Sequence, residues 1–128
     1  MKKLLFLTLF LIITVSLFGQ KRINKEIYYQ NYFAEKINGQ TEFVLFDRTR
    51  VDILTSEYAI EVDFANKWAE GIGQSLYYSL VTEKKAGVLL IMEYPEKDKK
   101  YLNRLIKVSN KYNIKIWTID SDNIIKEL

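Results

Sequence analysis

A chain of 128 residues with 19 Lys and Arg against 16 Asp and Glu carries a formal charge of +3, and it contains neither His nor Cys. Those two absences exclude Ser-His-Asp triads, other His-based acid–base catalysis, Cys nucleophiles, Cys/His zinc sites and disulfide staples. Carboxylates, Lys, Tyr, Ser and Thr remain for chemistry, with a hard cation held by oxygen ligands as the natural cofactor.

At the N-terminus, Lys2 and Lys3 precede the run Leu4 to Phe18, apolar except for Thr8, Thr14 and Ser16; small Gly19 then leads back to polar sequence. This is the layout of a secretory signal peptide over residues 1–20. The run falls short of the roughly 20 residues that cross a bilayer comfortably. The expectation is export to the periplasm or the medium, with an uncleaved membrane anchor as the alternative. One domain, residues 21–128, follows with no stable membrane span. Without Lys2 and Lys3 the charge falls from +3 to +1. Electrostatics therefore neither argue for nor forbid a nucleic-acid partner, and nothing in the pattern sets an oligomeric state.

Ile23 to Lys36 reads as a helix with Ile27, Asn31, Phe33 and Ala34 on one face, and Tyr28, Tyr29 and Tyr32 add aromatic bulk for packing. Glu42–Phe46, Arg50–Thr55 and Tyr58–Phe64 read as three strands, the last two joined by a turn at Ser56-Glu57. Asn66 can cap a helix from Lys67 to about Glu83 whose apolar stripe is Ala69, Ile72, Leu76 and Leu80. Gly87 to Met92 is a continuously apolar run suited to a strand covered on both faces. After Pro95, Lys97 to Tyr112 is an amphipathic helix with Leu102, Leu105, Ile106 and Val108 inward. Ile114–Ile119 is a last strand, and Ser121–Leu128 a tail without assigned structure. The order predicts an α/β fold of three α/β/α layers around a mixed sheet.

The second and third strands hold the most informative residues. In RVDILT, Val51, Ile53 and Thr55 alternate with Arg50, Asp52 and Leu54; in YAIEVDF, an apolar face alternates with Ala59, Glu61 and Asp63. A turn centred on Ser56-Glu57 sets Asp52 opposite Glu61 and Arg50 opposite Asp63. Directly opposed side chains lie about 5 Å apart at Cβ. Two carboxylates about 4 Å apart repel by roughly 4 kcal/mol at an effective dielectric near 20. A divalent cation, a shared proton or a bridging Arg50 would each relieve that repulsion. On the next helix Lys67, Gly71, Gln74 and Tyr78 share a stripe. The two Lys clusters, Lys84-Lys85 and Lys97 to Lys100, read as solvated helix ends, and Asp120 and Asp122 as a turn.

Asp52, then Glu61-Val62-Asp63 on the following strand, then Gln74 and Tyr78 on a helix, together resemble the PD-(D/E)XK nuclease superfamily, in its RecB-like branch with a QxxxY helix. The resemblance runs from Ile23 to Met92 and includes the order helix–strand–strand–strand–helix–strand. It implies a restriction-endonuclease-like fold and a metal-dependent phosphodiesterase acting on DNA or RNA. Asp52, Glu61 and the Val62 carbonyl would then hold Mg²⁺ or Mn²⁺, with Glu26, or less favourably Glu35, completing the site. Gln74 and Tyr78 would position water or the nucleic-acid backbone.

The family usually carries Lys where this chain has Asp63. Asp63 then becomes a further metal ligand, Lys67 supplies the missing positive charge, or catalysis is lost. The last case gives the alternative function, a catalytically inactive nuclease-fold binding module in the exported compartment. A plain exported domain with incidental acids is the third reading.

Overall fold

The computed structural model describes residues 20–128. The signal peptide expected over residues 1–20 lies, apart from Gln20, outside the described residues. Among the described residues no helix is long and apolar enough to cross a membrane.

Helix α1 (Glu26–Ile37) ends on Asn38, whose left-handed backbone (φ 55°) lets the Gly39 amide bond back to Ala34 O at 2.8 Å. The chain then runs through β1 (Gln40–Val44), β2 (Arg50–Leu54) and β3 (Tyr58–Phe64) as an antiparallel meander. Thr55 holds the β2–β3 turn, its hydroxyl accepting the Tyr58 amide at 2.8 Å and the Glu57 amide at 3.2 Å. That side-chain clamp serves a turn whose Ser56-Glu57 pair is otherwise poor turn chemistry.

A short 3₁₀ turn, Ala65–Lys67, leads into α2 (Trp68–Thr82). Strand β4 (Lys85–Ile91) returns parallel to β3; α3 (Pro95–Tyr112), opened by its proline, leads to β5 (Lys115–Ile119), parallel to β4. The tail forms β6 (Ile125–Glu127), antiparallel to β5. The described residues thus form an α/β fold with one six-strand mixed sheet, in the order β1 to β6, and three α-helices.

Alternation in the parallel strands separates two cores. Ile60, Val62, Leu89, Ile91, Trp117 and Ile119 pack with Tyr29 and Phe33 of α1. Ala86, Val88, Leu90 and Ile116 pack with Ile72 and Leu76 of α2 and Leu105 of α3. One helix covers one face and two cover the other, which is the expected three-layer packing.

Two of the three predicted helix faces are corrected in part: Phe33 and Ala34 on α1, and Ile72 and Leu76 on α2, pack inward as expected, and their companions do not. On α1 the buried residues are Tyr29, Gln30, Phe33 and Ala34, while Ile27 and Asn31 are exposed. The aromatic rings fill the space over the sheet, rotating the helix toward them. On α2 the sheet-facing line is Gly71, Ser75 and Tyr78; Ala69 is exposed and Leu80 is 79 % exposed. Small residues let this helix approach β3 and β4 closely, which outweighs the burial of two aliphatic side chains. Asn66 does not cap α2: its Oδ1 accepts from the Arg22 guanidinium, and Lys67 stands at the N-cap without a side-chain bond.

Candidate functional site

The meander comes apart where its acids meet. Strands β2 and β3 pair at Leu54–Ala59 and Ile53–Ile60, and the ladder stops there. Asp52 and Glu61 follow next, and their side chains replace the missing backbone bonds. The Val62 amide donates to Asp52 Oδ2 at 2.8 Å, and the Asp52 amide reaches Glu61 Oε1 at 3.4 Å. On the other side, the β1–β2 ladder pairs Thr41 with Ile53 and Phe43 with Val51 but skips Glu42 and Asp52 between them. Glu42 is left-handed (φ 54°) within a strand.

The distortion changes which way β2 faces. Ile53 packs beneath α1, whereas Val51 packs with Ala59 and Tyr78. Residues two apart in a regular strand share a face, so the strand rotates as it passes Asp52. This corrects the expectation that Val51 and Ile53 point the same way. It also removes Arg50 from Asp63: the Arg50 Nε pairs with Glu42 Oε2 at 3.2 Å instead.

Asp52 and Glu61 do lie together. Burial, then the charge of Asp52 and a hydrogen bond between the two carboxyls, pushes Glu61 up to about 9. Burial raises Asp52 as well, against the Val62 amide, which favours its ionised form. Both shifts run toward the protonated form, as expected of two carboxyls that burial brings together.

Asp63 sits behind them, 7 % exposed, under α2. A Cβ at Gly71 would stand 2.7 Å from Asp63 Oδ2, so the glycine is what admits the carboxylate there. That oxygen is buried and accepts no hydrogen bond from the described residues. Burial, followed by the charges of Glu26 and Asp52, pushes Asp63 up to about 7, and Lys67 draws it partly back.

Glu26, in the first turn of α1, belongs to the same cluster. Burial and then Asp52 raise its carboxyl, while Lys67 lowers it. Lys67 is exposed, and its charge acts on both Glu26 and Asp63. Glu35 is exposed near the far end of α1, away from these groups.

A cleft of about 600 Å³ opens over the pair. Its walls include Glu26 and Gln30 from α1, Asp52, Glu61, and Gln74 and Tyr78 from α2. Tyr78 is buried, and its phenol is raised by burial and then by Glu61 and Asp52. Of the residues singled out in the sequence, Asp52, Glu61, Glu26, Gln74 and Tyr78 meet at this cleft. Val62 joins through its amide, and Asp63 and Lys67 through charge.

Glu42 lines the cleft and was not foreseen, nor was Gln30, which is 2 % exposed and donates to Glu42 Oε1 at 3.0 Å. The signal for Glu42 was the β1–β2 hairpin itself, whose register brings it opposite Asp52.

Among the described residues, no group of three acidic side chains converges tightly enough to hold a metal ion between them. A pair of carboxylates is the number that Mg²⁺ commonly takes from a protein while keeping several waters.

Fold and site together define an α/β protein with an acid-lined cleft at a break in its sheet. No known family matches the chain, and no solved structure matches it. It is similar to a KilA-N domain-containing protein of Acanthamoeba polyphaga mimivirus, 32 % identical over 96 residues. The match covers 75 % of this chain and 37 % of the viral protein.

Proposed function

We propose that this protein is a Mg²⁺- or Mn²⁺-dependent phosphodiesterase acting on nucleic acid, with a restriction-endonuclease-like fold of the PD-(D/E)XK type. The observation that carries the reading is the meeting of Asp52 and Glu61 at the point where β2 and β3 part. The helix–strand–strand–strand–helix–strand order and the parallel return of β4 beside β3 support the fold assignment.

Asp52 and Glu61 would hold the cation, with the Val62 carbonyl as a further ligand and Glu26, which lines the same cleft, completing the site. The bound ion supplies charge for the scissile phosphate and lowers the pKa of the attacking water. Holding such an ion would require both carboxylates in their ionised form. Gln74 and Tyr78 lie one helical turn apart on the cleft wall, where an amide and a phenol can orient the water or the backbone. Lys67 takes the place of the positive group that Asp63 cannot provide. Its electrostatic reach to both Glu26 and Asp63 supports that role.

The second reading is an inactive nuclease-fold binding module. It is favoured by Asp63, whose negative charge opposes a phosphate. Export from the cytoplasm, with extracellular nucleic acid as target, remains the proposed setting. The viral relative's KilA-N name adds no activity to either reading.

Incubating the protein with labelled single- and double-stranded DNA and RNA, in Mn²⁺ or in EDTA, separates the two. Cleavage in Mn²⁺ that disappears in EDTA and in Asp52→Asn supports the enzyme. Binding without cleavage in any condition supports the module.

A further inference from the structure

The tip between β1 and β2 has no part in the site as described so far. The Leu45 amide bonds to Thr49 O at 2.8 Å and the Arg48 amide to Leu45 O at 2.9 Å. This closes a three-residue loop, Phe46-Asp47-Arg48, whose last residue is left-handed at φ 68°. Asp47 stiffens it: its Oδ1 accepts the Thr49 amide at 3.0 Å and the Thr49 hydroxyl at 2.6 Å. The Tyr77 hydroxyl of α2 donates to Asp47 Oδ2, tying the loop to the helix that also carries Gln74 and Tyr78.

On this rigid loop Phe46 is 88 % exposed. Arg48 occupies a backbone conformation that Gly or Asn adopts at less cost. Neither choice helps the fold. Arg48, Thr49 and Arg50 line the acid cleft, and Val44 and Ile27 complete that rim. An exposed ring two residues before a cleft-lining arginine suits a strand with unstacked bases: the ring offers a stacking face, and Arg48 can meet a phosphate, while Arg50 is held by Glu42. A continuous duplex keeps its bases stacked inside and offers Phe46 nothing comparable.

We infer that the β1–β2 tip is the substrate-reading element of the cleft, with Phe46 stacking on an unpaired base and Arg48 holding an adjacent phosphate. The cleft thereby prefers single-stranded nucleic acid, or a duplex with unpaired bases, over continuous duplex. This rests on the nucleic-acid reading of the cleft and adds to it the class of substrate. A second copy of the chain, seated on Phe46 and Val44 along edge strand β1, is the competing occupant.

The test is a fluorescence-anisotropy titration of the full chain against a short labelled oligothymidylate and its duplex with oligodeoxyadenylate, in EDTA so that neither is cut. The wild type should bind the single strand at least about tenfold more tightly than the duplex. Phe46→Ala should weaken single-strand binding by about tenfold or more and leave the duplex unchanged, the loss of one stacked base. Arg48→Gly should weaken binding and flatten its salt dependence while raising the melting temperature, because glycine relieves the left-handed backbone. Equal wild-type affinity for strand and duplex, or an unchanged Phe46→Ala, overturns the inference. So does concentration-dependent dimerisation that Phe46→Ala abolishes in a protein that binds no oligonucleotide. Failure of cleavage with single-strand binding intact would instead sink the enzymatic reading and leave the tip's role standing.

Discussion

Asp52 and Glu61 are each held by the other's strand: Asp52 Oδ2 accepts the Val62 amide at 2.8 Å, and Glu61 Oε1 faces the Asp52 amide at 3.4 Å. Two buried acids have taken over bonds that a regular ladder would give to backbone carbonyls. The arrangement locks both carboxyl groups in place at the opening of the cleft. It also concentrates negative charge where solvent is scarce, and the consequences are measurable.

Stability should fall as pH rises. Glu61, Asp63, Asp52 and Glu26 all bind protons more tightly in the folded chain than in the unfolded one. Between the ordinary carboxylate range near pH 4 and the raised values, the folded state carries the extra protons, so the slope of unfolding free energy with pH is negative. The contribution is fully present below the ordinary range and is lost through about 7 for Asp63 and about 9 for Glu61. Thermal melts in EDTA should show a midpoint several degrees lower at pH 9 than at pH 5. Mn²⁺ should raise the midpoint more at pH 8 than at pH 5, because bound cation needs ionised ligands. A midpoint that climbs from pH 5 to pH 9 without metal would contradict this.

Gly71→Ala should destabilise the protein by about 1–3 kcal/mol despite alanine's better helix propensity. The new methyl would meet Asp63 Oδ2 at 2.7 Å, with Val88 Cγ1 at 3.6 Å limiting retreat. Combining it with Asp63→Ala should recover most of the loss, since the clashing oxygen is then gone. Chemical denaturation of the two single variants and the double variant measures the coupling.

Lys67→Met should abolish cleavage while leaving Mn²⁺ affinity within a few-fold of wild type. The lysine is exposed and faces Glu26 and Asp63 electrostatically rather than holding the cation. Retained turnover would remove Lys67 from the mechanism.

Glu93 predicts a structural effect away from the cleft. Its Oε1 accepts the Ile23 and Asn24 amides at 3.0 and 2.9 Å and the Tyr29 hydroxyl at 2.8 Å. Burial, together with the Glu93 carboxylate, pushes that phenol up to about 12. Glu93→Ala should cost about 3 kcal/mol, since it leaves these donors unpaired, and should expose the chain before Glu26 to proteases. Glu93→Gln, which keeps an acceptor oxygen, should cost less.

Much of the fold is legible from hydrophobic period alone. Tyr58–Phe64 is found at its predicted bounds, and the apolar run ending at Met92 is the buried parallel strand anticipated for it. Pairing Asp52 with Glu61 followed from the turn at Ser56-Glu57, and the side chains do meet. What alternation could not show is the break itself. A period of two assumes a regular strand, and β2 rotates at Asp52, so Val51 and Arg50 leave their predicted neighbours. Helix faces were misread in part for a related reason: on α2 the aliphatic stripe places Ile72 and Leu76 inward as found, but the close fit of Gly71 and Ser75 against the sheet turns Ala69 and Leu80 outward. Glu42 was overlooked because its importance lies in a left-handed backbone and a cross-strand neighbour, neither visible in residue type. Glu93 gave no sign beyond being an acid directly after an apolar strand.

The central claim is that Asp52 and Glu61 share a divalent cation. Calorimetric titration of Mn²⁺ into the protein at pH 8, beside Asp52→Ala, tests it most directly. The account predicts saturable binding to the wild type with release of protons, and a featureless trace for the variant. Matching traces from the two proteins, whether both binding or both flat, would contradict it.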